Sequence, residues 1–218
     1  MGNEHKKLYD QEFFRLWGAE NEEYTRCARG VASVIYKQYR PQSLIDFGCG
    51  SGFHAAYFAE QGARVLPLDF SPCPKEFRAP GLPEIVPLDL SRPLADKDLG
   101  RFDMALCLDV AEHLPPEKAP VLVENLTRFS DLIVFAGAPP DQGGTGHFNE
   151  QPHGYWVELF KEQDFRYCRR ESGWLDKRGL LLRDVITLRW MVIQLRVYRR
   201  GARYRYPPIA LPAIKPDK

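Results

Sequence analysis

The chain has 218 residues, 44% of them hydrophobic and 12% aromatic, enough to bury one core without disulfides or a structural metal. Thirty Lys and Arg face 29 Asp and Glu, a formal net charge of +1, which excludes a wholesale nucleic-acid coat, an acidic solvating protein and a disordered chain. No apolar run is long enough for a transmembrane helix, residues 1–7 lead into no secretory core, and five widely spaced cysteines suit a reducing compartment, so the expected location is cytoplasmic.

Helical spacing marks residues 9–17 and 22–39, the second through Ala28, Val31, Val34, Ile35 and Tyr39, and Pro41 stops it. The run 43–47 reads as a buried strand ending in glycines, 53–61 as a helix closed by Gly62, and 64–69 as a second strand whose Pro67 asks for a sheet edge or strand end. Further strands are predicted at 84–90, 102–108 and 131–136, and helices at 117–129 and 155–163. Strands alternating with helices predict a parallel sheet covered on both faces, an open α/β architecture. Residues 137–154 form an 18-residue loop, a length more often functional than not. Leu181, Val185, Leu188, Val192, Leu195 and Tyr198 share one helical face, and a helix is expected over 180–198 despite its β-branched content. Eight arginines (178, 183, 189, 196, 199, 200, 203 and 205) face one acid, Asp184, in the segment 178–205, an asymmetry that points to an anionic partner. The proline-rich end, 207–218, is expected to be extended or disordered.

The central motif is Asp46-Phe47-Gly48-Cys49-Gly50-Ser51-Gly52. Alternate glycines after a strand let the backbone turn tightly and let a ligand approach it, and the following helix offers unpaired N–H groups to an anionic group. A dinucleotide fingerprint needs glycine or alanine at position 53, where this chain has Phe53, so nicotinamide and flavin are disfavoured. The arrangement resembles the class I S-adenosylmethionine (SAM)-dependent methyltransferases, whose first motif is an acid followed by G-x-G-x-G. The resemblance implies a Rossmann-like fold with a mostly parallel seven-stranded sheet and helices on both faces, and SAM as cofactor. It also implies a site built from Asp46, Gly48, Cys49, Gly50 and Gly52, with Asp69 on the ribose hydroxyls and Phe70 beside it. Asp89 and Leu90 would read adenine, and Asp109 would lie beneath the sulfonium. Domain boundaries follow: residues 1–40 as helices capping the cofactor, 41–200 as the methyltransferase domain and 201–218 as a tail.

Two further strings extend the resemblance over about residues 8–165. Cys107-Leu108-Asp109-Val110-Ala111-Glu112-His113-Leu114-Pro115 resembles the C-L-E-V-A-E-H-L-P run of a bacterial methyltransferase-domain subgroup, and Gly143 to Gln151 with Tyr155-Trp156 resembles its G-G-T-G-H-x-N-E-Q loop and Y-W pair. Asp109 replaces the usual glutamate, and Phe53-His54 a threonine-tryptophan pair.

Methyl transfer from a sulfonium needs an acceptor held in line and, for a hydroxyl, a base. His113 and His147 are the candidate bases, with Glu112 beside them, because imidazole titrates near neutrality. Asp109, Glu112, His113 and His147 also resemble the E-x-x-E-H…H metal set of small-RNA 2′-O-methyltransferases and some quinone-pathway O-methyltransferases, a mixed N/O shell suited to a divalent cation. Gln142, Asn149, Glu150, Gln151 and His153 are candidate specificity contacts, Tyr155 and Trp156 pack the far end of the loop, and Tyr9 and Phe13 are candidate roof residues. The expected reaction is O-methylation of a small-molecule, sugar or secondary-metabolite hydroxyl, and the arginines suggest a phosphorylated or nucleotide-linked acceptor. An RNA 2′-O-methyltransferase is one alternative, disfavoured by the net charge and by the absence of an RNA-binding motif; a non-catalytic SAM-binding partner subunit is another.

Overall fold

The computed structural model describes residues 9–201. The prolines expected to extend beyond 207, and Arg203 and Arg205, lie outside the described residues. Helices α1 (Gln11–Leu16) and α2 (Glu22–Tyr39) come first, each capped at its N-terminus by a side-chain oxygen, Asp10 onto Phe13 N–H and Asn21 onto Tyr24 N–H. Then follow β1 (Ser43–Phe47), α3 (Phe53–Glu60), β2 (Arg64–Asp69), β3 (Val86–Pro87), β4 (Met104–Leu108), α4 (Ala119–Phe129), β5 (Leu132–Ala136), α5 (His153–Glu162), β6 (Phe165–Tyr167), α6 (Arg169–Leu181), α7 (Trp190–Ile193) and β7 (Arg196–Arg200). The seven strands order as β3-β2-β1-β4-β5-β7-β6, parallel from β3 to β5, with β7 antiparallel to both its neighbours.

Residue parity sorts the core into two layers. Leu44, Met104, Leu106, Val134 and Val197 face α2, α3, α6 and α7, while Ile45, Phe47, Ala105, Cys107, Ile133 and Phe135 face α4 and α5. Each fully buried Leu, Ile or Phe contributes roughly 1.5–3 kcal/mol over its exposed state, so these strands hold the sheet by what they cover. Pro67 is accommodated as expected, because β3 pairs with β2 only at Leu68 and Asp69 and leaves the outer side of Pro67 unpaired.

The stretch 180–198 departs from the expected helix. Within it the end of α6 reaches Leu181, the only other helical residues are Trp190–Ile193, and residues 196–200 form β7 in the sheet interior. Its alternation is hidden because Val197, Tyr198 and Arg199 are all buried. The arginines tolerate this through specific partners. Arg199 makes a bidentate contact with Glu171, Arg200 meets Asp131 at 2.6 Å, and Arg196 lies 3.6 Å from Asp176. The third strand is also shorter than the predicted 84–90, and β6 and most of α6 had no clear periodicity to announce them. Among the described residues, no helix is long and apolar enough to cross a membrane.

Candidate functional site

A cavity of about 450 Å³ opens over the carboxyl ends of β1, β2 and β4. The strand order reverses between β1 and β4, which is where an open α/β sheet leaves a crevice for a ligand. Gly48, Cys49, Gly50 and Ser51 form its floor after β1. Gly48 and Cys49 both donate N–H bonds to the Leu68 carbonyl, and Gly52 donates to the Cys49 carbonyl, so the loop is fixed before α3 begins. Gly52 caps that helix at φ 78°, where a Cβ would sit 2.2 Å from Leu82 Cδ2, so no other residue fits without displacing Leu82.

Asp69 ties two walls together. Its Oδ2 accepts from Gly50 N–H and its Oδ1 from Ser71 N–H, both at 2.9 Å. Burial pushes its carboxyl up, with these backbone donors pulling the other way. Phe70 and Leu90 line the same end of the cavity. Asp46, Gly52 and Asp89 do not line it. Asp46 shares the parity of Leu44 and is buried beneath the loop, where burial first and Asp69 second raise its pKa to about 7. Asp89 accepts from the Ser91 N–H and hydroxyl and sits 3.3 Å from Arg92.

The opposite wall comes from the segment after β4 and the long loop after β5. Asp109 turns the chain at φ 56°, and Glu112 and His113 follow in a single 3₁₀ turn. The loop straps onto that turn: Phe148 and Asn149 donate N–H bonds to the Glu112 carbonyl, the Asn149 side chain donates to the Ala111 carbonyl, and Gln151 N–H reaches the Ala138 carbonyl. This brings His147 over His113, with ring centroids 5.1 Å apart. One donor atom each of Glu112, His113 and His147 lies within 4.8 Å of the others. Asp109 lines the cavity but does not share this spacing, so three of the four residues of the resemblance's metal set converge. Burial drives both Asp109 and Glu112 above the usual carboxylate range, and Glu112 is raised further by the charge of Asp109. One oxygen of each is buried with no hydrogen-bond partner, an arrangement that a cationic ligand would relieve.

The loop's other polar residues divide. Gln142 lines the cavity and bonds to Gln194, tethering the loop to the α7–β7 junction. Asn149 and Gln151 hold the strap together, and Glu150 contacts His147. His153 sits at the start of α5, bonded to the Tyr198 hydroxyl at 3.2 Å and packed on Tyr167, away from the cavity. Trp156 is buried against Phe135.

Aromatic rings roof the space. Tyr9 stands edge-on to Phe13 at 4.9 Å and to His113 at 5.9 Å, and Trp17 meets Tyr24 and Trp190. Trp17, Tyr24, His54, Trp190 and Met191 all line the cavity although the sequence did not single them out as site residues. His54, the substitution noted after the glycine motif, carried the one available signal. Its burial lowers its pKa to about 4, so the imidazole is neutral. Trp190 and Met191 could not be placed while their segment was read as one helix.

Residues 45–129 match the family model of a methyltransferase domain. The ubiquinone biosynthesis O-methyltransferase of Pseudomonas aeruginosa strain UCBPP-PA14 is 26% identical over 166 residues, 67% of this chain and 68% of that one. In solved structures, magnesium protoporphyrin IX methyltransferase from Synechocystis PCC 6803 with bound S-adenosylhomocysteine (SAH) superimposes with a TM-score of 0.60 at 17% identity, covering 90% of this chain and 98% of that one. The Burkholderia thailandensis 1,6-didemethyltoxoflavin-N1-methyltransferase gives 0.60 at 17% identity, covering 93% and 91%. At such identities the structural matches establish the shared fold. With the glycine loop and the crevice at the strand-order reversal, the chain carries a methyltransferase domain over residues 45–129 in a Rossmann-like fold shared with SAM-dependent methyltransferases.

Proposed function

We propose that this enzyme O-methylates a hydroxyl group on a small, uncharged, ring-bearing acceptor. The observation that carries this reading is the convergence of Glu112, His113 and His147 on the wall facing the glycine loop, in a cavity roofed by aromatic rings. In our reading the backbone of Gly48, Cys49 and Gly50 receives the amino-acid end of SAM, Asp69 accepts from the ribose hydroxyls, and Phe70 and Leu90 sandwich adenine. Asp109 faces the cationic end. Gly52 and Asp46 support the loop from behind, Asp89 supports the adenine wall through its own turn, and the N-terminal helices cap the site with Tyr9 and Phe13.

The chemistry required of the protein is then modest. The acceptor oxygen attacks the methyl carbon in line with the departing sulfur, SAH leaves neutral, and the hydroxyl proton passes to an imidazole. His113 Nδ1 lies 3.2 Å from the Gly146 carbonyl, which can only accept, so the neutral ring keeps its lone pair on Nε2. A divalent cation also suits this donor set of one carboxylate and two imidazoles; when bound by Glu112, His113 and His147 it would acidify an acceptor hydroxyl. Three of the arginines that suggested a phosphorylated or nucleotide-linked acceptor, Arg196, Arg199 and Arg200 on β7, are engaged instead with Asp176, Glu171 and Asp131. The name of the Pseudomonas relative supports oxygen as the accepting atom.

The test is SAH release measured with SAM against four acceptor sets: phenols, free sugars, sugar phosphates and a structured RNA, each with chelator-stripped and metal-reloaded protein. Turnover confined to phenols or free sugars supports the proposal. Turnover only on sugar phosphates or RNA overturns it, and full activity of metal-free protein assigns the histidines to base or wall roles.

A further inference from the structure

We propose that Glu150 is a positioning residue of this site, holding His147 in one tautomer and coupling that ring to the turn that closes the cavity. This extends the reading of His147 as a base or ligand, and it rests on that reading for its consequence but not for its geometry.

A single carboxylate oxygen of Glu150, Oε1, accepts from His147 Nδ1 at 2.9 Å and from Gly143 N–H at 2.7 Å. Oε1 already accepts from the Gly143 N–H, and a carboxylate carries no proton at neutral pH, so it can only accept. Nδ1 must therefore carry the proton, and the lone pair of the neutral ring lies on Nε2. Oriented imidazoles of functional sites commonly depend on such a partner, whose loss costs roughly 10–100-fold in activity or metal affinity. The same oxygen makes the arrangement mechanical. Gly143 begins the turn whose Gly143, Gly144 and Thr145 line the cavity, so the turn and the ring are fixed to one atom. The ring is also seated closely: a Cβ on Gly144, at φ 150°, would lie 2.5 Å from His147 Nε2. Glu150 itself does not line the cavity, so its part is to orient His147 rather than to touch substrate.

The experiment reads the His147 tautomer by two-bond ¹⁵N–¹H correlation in wild type, E150A and E150Q, and measures kcat and SAH affinity for each, with E150A repeated in an H147A background. Wild type should show protonated Nδ1. E150A should shift towards protonated Nε2 and lose about 10–100-fold in kcat with SAH affinity changed less than threefold. E150Q, whose amide oxygen can still accept both donors, should retain the Nδ1–H tautomer and recover most of the loss. In H147A, E150A should cost less than threefold, because the interaction it removes is already gone. An unchanged tautomer in E150A, or an equal cost in the H147A background, overturns the proposal. If E150A does not fold, the E150Q tautomer decides alone: protonated Nδ1 sustains the proposal and an unshifted Nε2–H form, shared with wild type, defeats it. The spectra need no turnover, so a wild type that methylates none of the acceptors would defeat the proposed reaction while leaving this test intact.

Discussion

Replacing Asp46 with asparagine tests the physics of the loop floor most directly. The side chain is 4% exposed, and burial followed by repulsion from Asp69 raises its pKa from 3.8 to about 7. A native pKa above the unfolded one means that the folded state keeps a proton the unfolded chain has already released. The favourable contribution is therefore complete below pH 4 and is lost as pH rises towards 7. For those two values the loss between pH 5 and pH 8 is at most ~2.5 kcal/mol, since each unit is worth about 1.4 kcal/mol. At about 2–4 °C per kcal/mol for a chain of this size, that is roughly 5–10 °C in Tm. Thermal unfolding of apo wild type and D46N from pH 5 to pH 8 isolates the group from Asp109 and Glu112, which are raised in both proteins. D46N should gain on wild type by that margin as pH rises. Because Asp46 lies behind the loop rather than on the cavity wall, calorimetry should find SAH affinity within threefold of wild type. Parallel Tm curves would refute the buried-acid account, and a tenfold loss of SAH affinity would refute its placement behind the loop.

Three further outcomes follow from the same geometry. G52A forces a Cβ against Leu82 at φ 78° and should destabilise by about 1–3 kcal/mol while weakening SAH; L82A should restore part of the stability, read by chemical denaturation. D69A removes the acceptor of Gly50 and Ser71 as well as the proposed ribose contact, and should weaken SAH by roughly 10–100-fold in calorimetry, whereas D89A, held within its own turn, should cost less than threefold. E171A removes the bidentate carboxylate partner of buried Arg199 on β7 and should cost about 2–4 kcal/mol in denaturant unfolding with kcat per folded molecule unchanged; an effect under 0.5 kcal/mol would contradict the bidentate pair.

Much of the nucleotide half was legible in the primary structure because local rules govern it. A short apolar run, three alternating glycines and a helix terminus are consecutive in the chain, so Ser43 to Glu60 folds as its residues specify. Asp69 and Leu90 could be placed by their position after a strand, since every parallel strand ends on the same edge of the sheet. The C-terminal part was illegible for the opposite reason. Residues 196–200 are a strand because β5 and β6 lie on either side of them and Glu171 and Asp131 meet their charges, and none of those partners is near in sequence.

The sequence by itself determined the layered α/β plan, the glycine loop and the stock of acids and imidazoles available for chemistry. Tertiary structure alone decided which of them meet. Asp109 and Glu112 are three residues apart, yet only Glu112 joins His113 and His147, because the strap from 143 to 151 bonds to the carbonyls of Ala111 and Glu112. Trp190 reached the cavity, and His153 left it, through packing against helices and strands distant in the chain. Side-chain chemistry is written residue by residue, whereas convergence depends on long-range burial and hydrogen bonds that no local pattern encodes.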